Sequence, residues 1–463
     1  MTGLAVAGSG CICGGKPKVS KGTFYISADT IYGQKVEADS QMLRVFKVGV
    51  GGIGGMDTGS LRHTKKVVIT GMCDVDPIRL ANASKPFTGV PQFTDYRKMY
   101  QKISECDAVC ISTPDHTHAI IALEAMRQGK HVYVQKPLAH TYEECEMLME
   151  SGRKYGVVTQ MGNQGHPGVW RYKQLLKHKF WGDIKEVYTW TSRPWWPHGM
   201  TEKAAPTVMP EGYNWDCWLG PAQMREFSDQ YTPFKWRGWV DFGCGAIGDM
   251  AVHNFDPAYF VLQLGLPQTV IAHGDKAYPW GGFPKKSTID FHFGPTPICP
   301  TGIDVHWSEA GQTPANPDGA HASYKLGGEG CMIVGSKATT VGGSHASKPQ
   351  CIAVPGVPFG KETKEAQRTC NDIIAKPEID AGINWEYNHY SEWVDACMAG
   401  DTEKPGSRFD YSAKMTQALL MGCIAQFMPE TKLTWDDQKK CFDNEAANAL
   451  LKGSQRDGFK LRV

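Results

Sequence analysis

The sequence predicts an α/β fold of two domains. The N-terminal one is a dinucleotide-binding-type domain of strands and helices wound on a parallel sheet. The C-terminal one is an α+β domain with a large, mostly antiparallel open sheet. Three observations predict this. Short apolar runs alternate with helical patterns over 43–165, and a glycine-rich turn follows the first of those runs directly. Beyond about residue 166 the chain passes through Trp-rich loops into short strand-like runs.

In chain order, LRVFKVGV, KKVVITGMCDVD, DAVCIST, KHVYVQ and GVVTQMG read as successive strands. Helical stretches such as HAIIALEAMRQG separate them and end in Arg and Gly, as helix C-termini do. A helix is expected near 249–264, followed by strands at TVIAHG, TIDFHF, GIDVHW, CMIVG and ATTVGG. Segments 310–320 and 342–362 are rich in Gly, Pro, Ser and Lys and read as long surface loops. NHYSEWVDACMAG and YSAKMTQALLMGCIAQF read as two more helices. No internal repeat is present. The expected division is an N-terminal arm (1–42), a Rossmann domain (43–165), a substrate-binding and oligomerisation domain (166–435) and a tail (436–463).

The 463 residues are 41% hydrophobic and 21% charged, with a formal net charge of +1. No dense basic run points to a nucleic-acid or membrane-surface partner. No apolar run reaches the roughly 18 to 20 residues that span a bilayer. TGLAVAGSGCICGG (2–15) reads as the remnant of an export signal, resembling the apolar half of a twin-arginine signal without its basic start. A periplasmic or envelope location is the expectation, with the cytoplasm as alternative. Lipid modification of Cys11 is left open, because GSG before it matches a lipobox poorly. The 15 cysteines are scattered without C-x-x-C or zinc-type spacing, so buried free thiols and no metal site are expected.

Gly49-Val50-Gly51-Gly52-Ile53-Gly54 matches G-x-G-x-x-G directly after a strand. The first glycine permits the tight turn and the second admits a pyrophosphate. The third lets the helix pack on the sheet with its N-terminus aimed at the phosphates. A second strand ends in Asp74, twenty residues beyond Gly54, where a carboxylate accepts hydrogen bonds from an adenosine ribose. A nicotinamide dinucleotide is therefore predicted. Asp74 repels a 2′-phosphate and favours NAD; nearby Arg79 keeps NADP open.

CISTPDHTHAIIALEAMRQGKHVYVQKPLAHTYEE (110–144) resembles the glucose-fructose oxidoreductase/inositol dehydrogenase (Gfo/Idh/MocA) family. The features are Thr113-Pro114, His116 and His118, a helix, and a strand closing on Lys136-Pro137. The family motif there is Glu-Lys-Pro; here Gln135 replaces the glutamate. Loss of that carboxylate removes one influence favouring the Lys136 ammonium form. The resemblance implies that Thr113, Pro114, His116, Gln135, Lys136 and, further on, Asn163 face the cofactor, with Lys136 reaching the substrate hydroxyl. A second match is Asp249-x-x-x-His253 after the glycine-rich GCGAIG. TQMGNQGH (159–166), FKWRGWVDFG (234–243) and GGEGCMIVG (327–335) resemble a branch of the family from glycan-degrading bacteria. The resemblance covers roughly 43–430.

Around GDMAVHNFDP (248–257) three readings compete. On a regular helix, 249, 253 and 256 share a face. The resemblance implies proton transfer, with His253 as base, Asp249 orienting it or the substrate, and Lys136 stabilising the alkoxide. A metal site is disfavoured by the nearby lysine. A structural reading makes Asp256-Pro257 a helix cap and first-turn proline, and it is preferred for Asp256.

Nine of the 14 tryptophans fall between Trp170 and Trp239. Trp195 is a candidate wall for stacking a sugar, with His198, Arg237 and His306 as candidate polar contacts. A sugar or glycoside is the expected substrate, oxidised at a secondary hydroxyl. Relatives implied by the resemblance hold NAD tightly and cleave glycosides through a transient 3-keto sugar with no net redox change. That is the alternative, and a non-catalytic cofactor sensor is a second. The family commonly pairs through the open sheet, so a homodimer or homotetramer is expected.

Overall fold

The computed structural model describes residues 30–35, 41–375 and 388–463, so the expected signal segment and Cys11 lie outside the described residues. Strands form where apolar runs are buried on both faces, as in a parallel sheet covered by helices. In chain order these are β1 (Leu43–Val48), β2 (Val67–Cys73), β3 (Gln92–Phe93), β4 (Ala108–Ile111), β5 (His131–Gln135) and β6 (Thr159–Gly162). They lie in the order β3-β2-β1-β4-β5-β6, and every pair is parallel. Strand order reverses between β1 and β4, so the crevice beyond their C-terminal ends is the natural ligand site of this topology. Helices α1 (Ile53–His63), α2 (Pro77–Ser84), α3 (His118–Arg127) and α4 (Tyr142–Tyr155) connect the strands. α4 starts on a Thr141/Glu144 capping box and ends on left-handed Gly156.

The second sheet has nine strands. They are β7 (Ile184–Trp190), β8 (Thr269–Gly274), β9 (Ser287–Phe293), β10 (Ile303–Ser308), β11 (Gly330–Gly335), β12 (Thr339–Gly342), β13 (Gln350–Ala353), β14 (Leu433–Asp436) and β15 (Cys441–Phe442). The order is β13-β12-β11-β7-β10-β9-β8-β14-β15. β7 runs parallel to β10, and the other pairs are antiparallel. β9 alternates strictly between buried and half-buried residues, the signature of a sheet with one open face. The central β7 was not among the expected strands, and β13 lies inside a segment read as loop.

Helices α5 (Lys361–Ile373), α6 (Asn388–Ala399) and α7 (Phe409–Ala425) complete the chain. α7 is buried along nearly all its length and packs on both α4 and β8. Late as it comes in the chain, α6 returns to the first domain, where Tyr390, Trp393 and Val394 join the core of Leu43, Val45 and Leu61. Residues 30–35, inside the span expected to be an arm, form a two-stranded hairpin. The Gln34 amide bonds both backbone groups of Ile69 at 3.0 Å, which docks the hairpin on β2. Among the described residues no helix is long and apolar enough to cross a membrane. Twelve of the 13 described cysteines are buried, all 13 are free, and Cys441 is half-buried.

Candidate active site

The β1–α1 turn is built by close approach. Gly49 has φ +78°, and a Cβ there would lie 2.4 Å from the Ser112 carbonyl oxygen. A Cβ on Gly54 would lie 2.2 Å from the Gly49 carbonyl oxygen, so only glycine lets α1 start against the turn. No side chain caps α1 at Gly52, and Gly51, Gly52 and Ile53 line the cleft. Asp74 ends β2 on the same cleft and braces the turn, its carboxylate accepting from Val50 N (2.9 Å) and Asp76 N (3.0 Å). Asp76 caps α2 and pairs with Arg79 at 3.3 Å. Two carboxylates and one guanidinium thus sit at this end of the cleft. The glycine cradle, open helix start and strand-end carboxylate fit a dinucleotide.

The strand ends of β4 and β5 are tied together by His118, whose nitrogens lie 2.9 Å from the carbonyl oxygens of Thr113 and Pro137. Burial pushes its pKa down to about 4, so the neutral ring donates to one of these carbonyls and packs its other nitrogen against the second. Thr113, Pro114, Gln135 and Lys136 all line the cleft. Gln135 donates to both oxygens of buried Asp57 (2.9 and 3.0 Å), which also accepts from Ser112 Oγ (2.5 Å) and Tyr390 (2.8 Å). This accounts for glutamine in place of the family's glutamate: a carboxylate here would face the Asp57 carboxylate without a donor.

Lys136 Nζ donates to the Asp249 carbonyl oxygen and to Asp249 Oδ1, both at 2.8 Å. Arg193 Nη1 reaches Asp249 Oδ2 at 2.5 Å, and Arg237 Nη1 lies 3.0 Å from Oδ1. Three cations hold the Asp249 carboxyl far below the usual carboxylate range despite its burial. Burial lowers the Lys136 pKa, with Asp249 opposing. Asp249 therefore anchors cations and does not hydrogen-bond His253, contrary to one part of the expectation. A cation bound there would face all three positive side chains, which argues against the metal reading.

The helical segment carrying this pair opens as a π-turn over Ile247–Ala251, continues as α-helix over Val252–Asn254 and restarts past Phe255 over Asp256–Val261. Such turns recur at functional sites because they shift side chains off the regular register. Asp249 and His253 face the cleft, whereas Asp256 does not. Pro257 does sit in the first turn of the restarted helix, as expected, but Asp256 is that helix's first residue and its carboxylate makes no capping bond. It is buried against His166 (3.0 Å), Tyr411 (2.5 Å) and Asn163 (3.2 Å). Asn163, expected at the cofactor, is spent on that network and on Ser407.

Three further expectations move away from the cleft. His116 is sandwiched between the carbonyl oxygens of Phe242 (3.2 Å) and Trp218 (2.8 Å), where burial lowers its pKa to about 3. His198 holds Pro284 O (2.7 Å) and accepts from Trp196 Nε1 (3.1 Å). His306 pairs with Asp290 at 2.6 Å and stacks on Tyr188, among the half-buried side chains of the open sheet face. Trp195 and Arg237 do line the cleft, and the Arg193 guanidinium lies 4.1 Å over the Trp195 ring.

The sequence reading missed Arg193, Asp57, Asp115 and His345. Arg193 stands in TWTSRPWWPHG (189–199), and that cluster of Trp and Pro was the available signal. His345 stands in a segment read as surface loop and carried no signal. Its ring stacks on His253 with centroids 3.8 Å apart and planes at 23°. Burial pushes the His253 imidazole below its ordinary pKa, whereas His345 is itself exposed. Asp115 accepts from Cys244 N at 3.1 Å, and burial raises its pKa to about 6. The cleft measures about 550 Å³ and runs from Asp74 to His345 between the two domains.

The cleft thus carries a glycine-turn cradle at one end and a lysine–aspartate–histidine cluster at the other, the layout of a dinucleotide site joined to a site for a second molecule. Residues 43–163 match the oxidoreductase-family NAD-binding Rossmann fold, and residues 183–276 match the C-terminal alpha/beta domain of the same family. The chain belongs to the Gfo/Idh/MocA oxidoreductase family, and its cofactor is NAD-type.

A glycosyl hydrolase family 109 protein of Shewanella sp. (strain ANA-3) is 30% identical over 148 residues, which is 30% of each chain. The match thus spans about a third of the curated relatives' length. Among solved structures, the WlbA dehydrogenase from Bordetella pertussis, in complex with NADH and UDP-GlcNAcA, superposes with TM-score 0.56 at 17% identity. That match covers 86% of this chain and 99% of the other. An inositol dehydrogenase homolog from Azotobacter vinelandii, complexed with NADH and myo-inositol, gives 0.57 at 16% identity over 86% and 98%. These two likenesses describe the shared fold.

Proposed function

We propose that the protein oxidises a secondary hydroxyl of a sugar or glycoside. The observation that carries this reading is the meeting of Lys136, from the end of the cofactor-side strand β5, with Asp249 beside His253 from the second domain. The nicotinamide supplies the hydride acceptor when bound. Lys136, held by Asp249, donates to the substrate oxygen and steadies its negative charge as the proton leaves. His253, kept neutral by burial, accepts that proton. Arg193, Arg237 and Trp195 orient the sugar from the second domain. Asp74 and Asp76 together favour NAD over NADP.

NADH formation from NAD⁺ with a panel of methyl glycosides tests the reading. His253→Ala is expected to lower turnover by about 10²- to 10⁴-fold while leaving NADH affinity intact. Unchanged turnover in that variant removes His253 from the mechanism.

Similarity to the family 109 glycosyl hydrolases favours a second reading, in which the sugar is oxidised, loses its aglycone and is reduced again. Exposed Trp195 and Phe234 at the mouth of the cleft suit an aglycone. Release of 4-nitrophenol from aryl glycosides without added NAD⁺ supports this second route; accumulation of NADH supports net oxidation.

A further inference from the structure

We propose that His345 is the positioning residue of His253, and that the loop 343–347 is a built wall of the active site. This rests on the reading of His253 as the base. His253 is buried, and its Nδ1 has no hydrogen-bond partner among the described residues. A catalytic histidine is commonly oriented by a carboxylate or carbonyl on its second nitrogen, but Asp249 is committed to Lys136 and Arg193. The His253 ring instead stacks on that of His345 at 3.8 Å. That stack sets the plane of the imidazole.

The chain goes to some length to place His345. His345 and Ala346 are consecutive non-glycine residues in the left-handed region, with φ of 60° and 48°. Such residues are strained and persist only where their surroundings over-determine them. The surroundings are the TQMGNQGHPG segment. A Cβ on Gly165 would lie 2.4 Å from the His345 carbonyl oxygen, and one on Gly168 would lie 2.4 Å from that of Ala346. These contacts are to backbone, so the two glycines are the seat of the loop. Ser344 Oγ fixes His345 Nδ1 at 2.7 Å, leaving one face of the ring on His253 and the rest open to the cleft. The charged groups acting on His253, besides His345, are Lys136, Asp249 and Arg193. The Gly165 and Gly168 spacing, unexplained by the cofactor or the substrate, thereby acquires a function.

The test combines imidazole NMR of the purified full-length protein with turnover of the methyl and 4-nitrophenyl glycoside panels. Wild-type His253 is expected to stay neutral at pH 6. In His345→Ala its pKa rises as the ring is uncovered, and kcat falls at least tenfold with NADH affinity unchanged. His345→Phe retains a flat ring on His253, keeps its pKa low and recovers at least tenfold in kcat over the alanine variant. Gly165→Ala displaces the loop and reproduces the His345→Ala shift in the His253 pKa. A His253 pKa and kcat unmoved by His345→Ala overturn the proposal. So does a phenylalanine variant as impaired as the alanine one, which would make His345 a proton carrier in its own right. If His253→Ala is itself fully active, the underlying base assignment fails as well.

Discussion

Gln135 shows how one side chain departs from a family motif for a local reason. Its amide is the donor that the buried Asp57 carboxylate requires. Gln135→Glu is expected to destabilise the fold by about 1–3 kcal/mol, because one of two facing carboxylates must take up a proton or lose its partner. Asp57→Asn in the same chain should restore most of that loss, since the donor and acceptor then exchange places. Urea melts of the two single variants and the double variant measure this coupling, and additive losses would refute it. The sequence showed the substitution at 135 but not its partner at 57, which lies 78 residues away and meets Gln135 only through the fold. Lys136, Asp249 and the glycine turn were legible because their chemistry is carried by short motifs. Arg193 and His345 were not, because each reaches the site from a loop whose path depends on distant contacts.

At the scale of elements, α1 and the π-turn place the two halves of the site. Gly54→Ala is expected to push α1 off the Gly49 turn and lower NADH affinity at least tenfold, about 1.4 kcal/mol or more. Fluorescence titration with NADH checks this, and undiminished affinity would count against the cradle. Strands β1, β2, β4 and β5 were readable because parallel-sheet strands are continuous apolar runs. β7 was not, since Lys185 and Glu186 near its start mark it as polar surface. The Asp249–His253–Asp256 face held only for its first pair: Asp249 and His253 face the cleft, whereas Asp256 lies beyond the break at Phe255. Asp256 then belongs to the His166 and Tyr411 network behind the site.

The whole molecule carries several buried titratable groups outside the cleft, and Glu309 gives the clearest signature. Burial raises its pKa to about 8, with Trp307 Nε1 and Gln426 Nε2 donating to it at 3.2 Å. In the unfolded chain the same group ionises near its ordinary value of 4.5. Between those values the folded state holds a proton that the unfolded state has released. Stability therefore falls as pH rises from 4.5 to 8, by up to about 1.4 kcal/mol per pH unit from this group. Glu309→Gln should lose that slope, so the variant gains on the wild type between pH 5.5 and 8 in urea melts. A difference that does not change with pH would contradict the assignment.

The central claim is that the cleft between the domains oxidises a sugar using Lys136 and His253. It is tested most directly by mixing the NAD⁺-saturated protein with methyl glycosides and following NADH absorbance in a single turnover. The account predicts NADH formation with at least one sugar, slowed by a C–D bond at the oxidised carbon and at least a hundredfold slower in His253→Ala. A wild-type protein that binds NADH yet never reduces NAD⁺ with any sugar of the panel, even transiently, would contradict it.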